Sequence, residues 1–316
     1  MTLLQSFQQY TALGLAGSHV TMGSFDGVHL GHARLIQAMV DSARSASAPS
    51  VVVTFFPHPS VVLRGRQPAL YITTVEEKAD LLHQLGVDHV VSLQFDQELA
   101  AIPASEFLGR MLAQLRMRRL FIGEDFALGH GREGNRRFLE QRSLQAGFQV
   151  QVVPPLHVDG EVVSSTRVRE ALRSGDVGRA RRYLGRHFLI PGKVMRGAGR
   201  GRRLGIPTAN LAIWEERAYP GSGVYVCWAD VLDERWQAVT NIGFRPTFEE
   251  HTPRPIIETH LLDFDRDLYD QEVRLVFIER LRDERRFDGP EALLEQIARD
   301  IGRARAMLAV EEGDNG

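Results

Sequence analysis

"HVTMGSFDGVHLGHARLIQAMV", residues 19–40, runs from an apolar stretch through a glycine-flanked turn into apolar positions at helical spacing. Gly23, Gly27 and Gly31 punctuate the turn, and His29 and His32 stand three apart where the helix begins. A strand that gives way to a helix in this manner is the building unit of open α/β sheets. The alternation continues downstream. "SVVVTFF" (50–56) is a continuous apolar run, suited to a strand buried on both faces. "TVEEKADLLHQLG" (74–86) opens on a threonine cap and closes on glycine, as helices do. Strand-like runs at 89–95, 118–126 and 148–156 alternate with helical stretches at 104–115 and 136–147. Two short helices, 165–175 and 177–185, complete the segment. The pattern predicts an open parallel sheet with helices on both faces.

After "FLIPGKV" (188–194) the texture changes. Short strand-like runs at 223–232, 236–244, 255–264 and 272–281 are separated by Pro, Gly, Asp and Asn. That is the pattern of an antiparallel barrel or sandwich. One long helix, 289–308, closes it, and the acidic tail 311–316 reads as disordered. The expected domains are 1–186 and 187–316.

Composition narrows the function classes. The 316 residues suit two domains of ordinary size, and 43% apolar with 25% charged residues is the balance of a soluble globular protein. A net charge of −2 offers no basic field for nucleic acid. The single cysteine, Cys227, excludes an internal disulfide framework and a cysteine metal cluster; a buried strand thiol is the plain reading. No stretch approaches the roughly 18 apolar residues of a membrane span, and the start lacks the basic and apolar regions of a secretory signal. A cytoplasmic protein is expected. Lys78 and Lys193 are the only lysines, and neither completes a P-loop. "GAGRGRRLG" (197–205) misses the third glycine of a dinucleotide-binding run.

Two places carry chemistry. Ligands of open α/β sheets bind beyond the carboxyl ends of strands, which is where His29 and His32 fall. A helix N-terminus there presents free N–H groups to a phosphate, and imidazoles add donors for charge developing on phosphoryl oxygens. HxxH without a third ligand is a poor metal site; two polar residues closing a turn is the plainer alternative. "VSSTRVRE" (163–170) sets Ser164, Ser165 and Thr166 before Arg167 and Arg169 at a helix start. It reads as a second phosphate wall, or as an ordinary cap with solvated arginines. In the second half, the glycines and arginines of 197–203 make a cationic loop able to fold over phosphates. Thr208 and Asn210 offer oxygens two apart on an extended segment, suited to hard Mg²⁺. Glu258, in an apolar strand context, is positioned to be a general base. A surface loop, a turn and a solvent-facing glutamate are the corresponding dull readings.

Taken in order, "GSFDGVHLGH" (23–32), "GEDFALGHGREGN" (123–135) and "VSSTRVR" (163–169) resemble the nucleotidylyltransferase domain of bacterial FAD synthetases. "RGAGRGRRLGIPTANL" (196–211), "NIGFRPTF" (241–248) and "IIETHLLDFDRDLYD" (256–270) resemble the riboflavin kinase module, whose core is a small β-barrel. The two-domain order is that of the bifunctional riboflavin kinase/FAD synthetase family. The resemblance implies that riboflavin and ATP give FMN in the second domain, and that FMN and ATP give FAD and pyrophosphate in the first. It implies that Gly23, Ser24, Asp26, Gly27, His29, His32, Ser164, Ser165, Thr166 and Arg169 line the adenylyltransferase ATP phosphates. It also implies flavin or nucleotide contacts for Phe56, His58, Pro59, Asp125 and Phe126. For the kinase it implies ATP contacts by Gly197, Arg200, Gly201, Arg202, Gly205, Pro207, Thr208 and Asn210. Thr208 and Asn210 would hold Mg²⁺, and Glu258 would activate the ribityl 5′-hydroxyl. Riboflavin, FMN and ATP are the expected partners, with no nucleic acid or membrane; oligomeric state is not specified.

Four positions depart from the family pattern. Ser24 replaces an asparagine, Phe56 a glutamate, Leu128 an aromatic and Ala198 an aspartate. The rival readings are a flavin- or nucleotide-binding regulatory protein, and a riboflavin kinase with a weakened adenylyltransferase site.

Overall fold

The computed structural model describes residues 2–65, 70–196, 205–244 and 255–314. Its contacts divide the chain into two compact units, Met1–Ser165 and Thr166–Gly316. In the first, six parallel strands form one sheet: β1 (Thr2–Leu4), β2 (Ser18–Met22), β3 (Ser50–Phe56), β4 (His89–Gln94), β5 (Met117–Gly123) and β8 (Gln149–Val153). Two short antiparallel pairs accompany it, β6 (Ala127–Leu128) with β7 (Gly134–Asn135) and β9 (His157–Val158) with β10 (Glu161–Val162). The helices are α1 (Phe7–Thr11), α2 (Leu30–Ser45), α3 (Pro59–Arg64), α4 (Val75–Gln84), α5 (Gln97–Ala101), α6 (Ala104–Gln114) and α7 (Arg136–Ala146).

The continuous apolar strands are explained by what covers them. Val51 and Val53 of β3 pack with Phe7, Tyr10, Phe107, Met111 and Leu139, from α1, α6 and α7. Val52, between them, packs with Ile36, Met39, Val40 and Leu82, from α2 and α4. Adjacent residues therefore enter cores on opposite faces, each fully buried aliphatic side chain contributing roughly 1.5–3 kcal/mol. The expected parallel sheet with helices on both faces is present. It has six strands where five are expected, because β1 is too short to carry a periodic signal; it pairs with β4 and forms one edge of the sheet.

Strand order is β1-β4-β3-β2-β5-β8. After β4 the chain crosses back to lay β5 beside β2, so the carboxyl end of β2 is a topological switch point, where such sheets open a crevice. The turn carrying His29 and His32 begins there.

The second unit opens with α8 (Ser165–Arg173), whose first residue belongs to the first unit, and α9 (Val177–Leu184). A closed antiparallel barrel follows, built from β11 (Phe188–Met195), β12 (Ala209–Ala212), β13 (Gly223–Val231), β14 (Glu234–Phe244), β15 (Pro255–Leu261) and β16 (Glu272–Arg282). They run in the order β11-β12-β15-β14-β13-β16, with β16 pairing back to β11. Along β13 the alternation is sharp. Val224, Val226 and Trp228 pack against Ala304 and Leu308 of the final helix α10 (Pro290–Asp314). Tyr225 and Cys227 point the other way and are buried, Tyr225 edge-on to Phe277 with ring centroids 5.5 Å apart. Burial pushes the Cys227 thiol up to about 12, so it is an inert strand residue. The helix α10 runs through Asp314, taking in most of the tail expected to be disordered.

Candidate active sites

In the first unit, the β2–α2 turn is held by bonds that follow from its sequence. Asp26 is 3% exposed, and its carboxylate accepts from the backbone N–H groups of Ile72 and Thr73 at 3.1 Å. Thr73 Oγ1 donates to it at 3.3 Å and accepts from Gly27 N–H at 3.1 Å. Asp26 thus ties the turn to the segment before α4. Gly27 has φ +81°, and a Cβ there would meet Ile72 at 2.9 Å, so both backbone and space require glycine. Gly31 has a different reason. A Cβ at Gly31 would lie 3.2 Å from the His29 ring and 3.3 Å from the Val163 carbonyl.

His29 caps α2. Its Nδ1 accepts from His32 N–H at 3.2 Å, its backbone is extended, and it is 4% exposed. The two imidazoles stack, with centroids 3.5 Å apart and 19° between planes, and Phe25 meets His32 edge-on at 5.1 Å. The first turn of α2 carries no acidic residue of its own to offset the positive end of the helix. The arrangement offers backbone N–H groups and two imidazoles to an anion. Ser165 Oγ donates to the Asp26 carbonyl at 2.9 Å, so the second motif reaches the same turn. Ser164 precedes α8; Thr166 and Arg169 continue that helix, Arg169 one turn along from Ser165.

The residues implicated in flavin or nucleotide contact lie beyond the ends of β3 and β5. Phe56 ends β3 and faces Tyr71, with rings 5.6 Å apart. His58 caps α3 by accepting from Ser60 N–H at 3.1 Å, and its own N–H donates to Tyr71 Oη at 2.9 Å. Pro59 opens α3. Past β5, the Asp125 carbonyl accepts from Arg132 at 2.7 Å, and Phe126 packs against the core. Among the departures, Leu128 is absorbed into that core, and Ala198 lies outside the described residues.

One participant carries no motif signal in the sequence. Lys78, in the middle of α4, donates to the Ser24 carbonyl at 3.1 Å. Burial pushes it down to about 8, with the Asp26 carboxylate acting in the opposite direction. Nothing in "TVEEKADLLHQLG" separates a buried lysine from a solvated one.

In the barrel, the chemistry lies along a cross-strand row. Asn210 on β12 is opposite Glu258 on β15, and Glu258 is opposite Asn241 on β14. Directly opposed residues share a face, with Cβ atoms roughly 4.5–5.5 Å apart. The neighbours Ile257 and Thr259 are buried on the other face, which leaves Glu258 half-buried and not inside the barrel. Asn241 Nδ2 donates to Glu284 Oε1 at 3.2 Å, and that carboxylate sits over Gly243, where a Cβ has no room. Asn241 and Glu284 are polar neighbours that motif reading did not single out. Register alone reveals them.

A cavity of about 370 Å³ adjoins this row, lined by Gly205, Pro207, Thr208, Asn210, Phe264 and Tyr269 among others. His260 Nδ1 lies 2.7 Å from the Pro207 carbonyl and steadies the approach to β12. Thr208 and Asn210, which both line this cavity, offer oxygen donors that fit a hard cation drawing its remaining ligands from phosphate and water, with Glu258 opposite Asn210 on the neighbouring strand. Among the described residues no cluster of three His, Cys, Asp or Glu could cage a metal by itself. Gly197, Arg200, Gly201 and Arg202 lie outside the described residues.

The comparisons with known proteins match both halves. A family model described as FAD synthetase covers residues 14–167, and one described as riboflavin kinase covers 184–308. A bifunctional riboflavin kinase/FMN adenylyltransferase of Pseudomonas fluorescens is 38% identical over 294 residues, 93% of this chain and 94% of the relative. The Escherichia coli K12 protein of the same description is 35% identical, covering 98% of this chain and 99% of its own. A solved structure described as a macrolide-efflux protein from Streptococcus pneumoniae superposes with a TM-score of 0.84 at 30% identity, covering 92% and 94% of the two chains. Among the described residues of this chain, no helix is long and apolar enough to cross a membrane.

Proposed function

The chain belongs to the bifunctional riboflavin kinase/FMN adenylyltransferase family, and from that premise we propose which of its residues carry each reaction. It phosphorylates riboflavin with ATP to FMN, then adenylylates FMN with a second ATP to FAD and pyrophosphate. The observation that carries the assignment is that the two constellations lie in different compact units, the HxGH turn in one and the Asn210–Glu258 row in the other.

In the barrel, Glu258 accepts the proton of the ribityl 5′-hydroxyl as that oxygen attacks the γ-phosphorus of ATP, and ADP leaves. Thr208 and Asn210 would hold Mg²⁺, which would shield the charge of the ATP phosphates. Gly205 and Pro207 wall the nucleotide cavity, and Gly197, Arg200, Gly201 and Arg202, outside the described residues, are assigned to ATP contact on the family resemblance. Catalysis is positioning and charge stabilisation, with no covalent enzyme intermediate.

In the first unit, a phosphate oxygen of FMN attacks the α-phosphorus of ATP and pyrophosphate leaves. His29 and His32 grip the ATP phosphates at the start of α2, beside the turn that Gly23 and Gly27 shape. Asp26 acts through the turn it anchors; Ser164 and Ser165 form the second wall, Ser165 by its bond to the Asp26 carbonyl, and Thr166 and Arg169 are assigned to ATP phosphate on the family resemblance alone. Phe56, His58, Pro59, Asp125 and Phe126 border the flavin or adenine. The domain junction is proposed at 186, supported by the kinase match beginning at 184, although contacts group 166–184 with the barrel. A cytoplasmic location suits its use of ATP.

Incubating the chain with riboflavin and Mg-ATP, and separating FMN from FAD over time, tests the reading. Glu258→Gln is expected to stop FMN formation from riboflavin yet still convert supplied FMN to FAD. Replacing His29 and His32 is expected to do the reverse. Loss of both activities together in either well-folded variant contradicts two separate sites.

A further inference from the structure

Lys78 is one of two lysines in a chain whose other basic side chains are arginine or histidine. It is 6% exposed. Its Nζ donates to the Ser24 carbonyl at 3.1 Å and, more weakly, to the Phe55 carbonyl at 3.5 Å. Those carbonyls belong to the two segments that end at the crevice, the turn after β2 and the last residues of β3. The Ser24 carbonyl also accepts from Thr54 Oγ1 at 3.0 Å, so both of its lone pairs are engaged. A trans peptide sets its carbonyl and the following N–H on opposite sides. Holding the Ser24 carbonyl therefore aims the Phe25 N–H away from the lysine and fixes the orientation of the peptide that begins the turn.

A compact ammonium serves both carbonyls from one atom, whereas a guanidinium presents a wider planar fork of donors. Keeping it there is costly. Burial works against the charge, and an apolar side chain would fill the space without that penalty. A cation retained against its own desolvation, under the turn that carries His29 and His32, has a task other than packing.

We infer that Lys78 is a positioning residue for adenylyl transfer, locking the Ser24–Phe25 peptide against the end of β3 so that the phosphate-gripping turn is set before ATP arrives. It touches neither substrate. The inference rests on the proposed reading of the HxGH turn as the adenylyl-transfer site.

Lys78→Met and Lys78→Gln in the full chain test it, by steady-state FAD formation from FMN and ATP beside FMN formation from riboflavin. For Lys78→Met, kcat for FAD formation should fall roughly ten- to a hundredfold, the scale of one hydrogen bond to a charged group. KM for FMN and ATP should change little, and riboflavin phosphorylation should be unaltered. Lys78→Gln keeps N–H donors on a shorter side chain and should recover part of the loss. A parental kcat in Lys78→Met overturns the inference. So does a Met variant that unfolds or loses both activities, since the lysine would then be holding the fold. The His29/His32 double variant, run in parallel, separates the two levels. If it still makes FAD, the reading of the turn fails; if it is inactive while Lys78→Met is parental, only the role of Lys78 fails.

Discussion

Asn210 stands directly opposite Glu258 on the neighbouring barrel strand, so a proposed metal ligand and a proposed base share one face of the sheet. This register gives their substitutions different signatures. Glu258→Gln keeps the shape and removes only the basic oxygen. It should lower riboflavin phosphorylation by roughly two to four orders of magnitude, the usual worth of a general base. Stopped assays of FMN formation measure this, and near-parental turnover contradicts the assignment.

Asn210→Ala and Thr208→Ala should instead weaken the use of Mg-ATP. An amide carbonyl is a better hard-cation ligand than an alcohol, so Asn210→Ala should be the more severe. A magnesium titration of kinase rate should partly rescue both and leave Glu258→Gln unimproved. Equal response of all three variants would remove the distinction between metal and base.

His29 has two tasks that substitution can separate, since its Nδ1 caps α2 through His32 N–H. His29→Ala loses the cap and should cost about 1 kcal/mol of stability along with FAD formation. His29→Asn keeps a capping oxygen, so it should unfold near the parental midpoint and still fail to make FAD. Unfolding curves beside FAD assays distinguish them. An active His29→Asn would mean that the imidazole only closes the turn.

The alternation of apolar runs and capped helices made the parallel sheet legible, because Val51, Val52 and Val53 must satisfy cores on both faces. The turn at 23–32 was legible as a strand–helix junction, from the glycines set between an apolar run and apolar positions at helical spacing. What the sequence did not carry was anything set by tertiary register. Asn241 acquires meaning only by standing beside Glu258, and Glu284 only by reaching Asn241 from beyond β16. Glu258 itself sits among Ile256, Ile257 and Thr259 in sequence, which suggests burial, yet strand alternation turns it to the half-buried face. β1 was too short to register, and Lys78 looks like any helical lysine until Ser24 and Phe55 are seen beneath it.

Lys78 also makes stability depend on pH in a direction opposite to that of a salt-bridged lysine. Its folded value is about 8 against an ordinary 10.5, so between those values the unfolded chain binds the proton more tightly. Stability from this group is therefore fully present above about 10.5 and is lost as pH falls through about 8. At roughly 1.4 kcal/mol per unit, the difference is about 3 kcal/mol. Lys78→Met escapes the penalty. The variant should be more stable than the parent at pH 7, by several degrees in unfolding midpoint, and the gap should close as pH approaches 10. Thermal unfolding of both full chains across this range, with hydrogen exchange to identify the first unit, measures it. A gap that is constant with pH, or a variant less stable at pH 7, would show that the ammonium is not held at a cost. Greater stability together with slower FAD formation is the outcome expected of a charge kept for positioning.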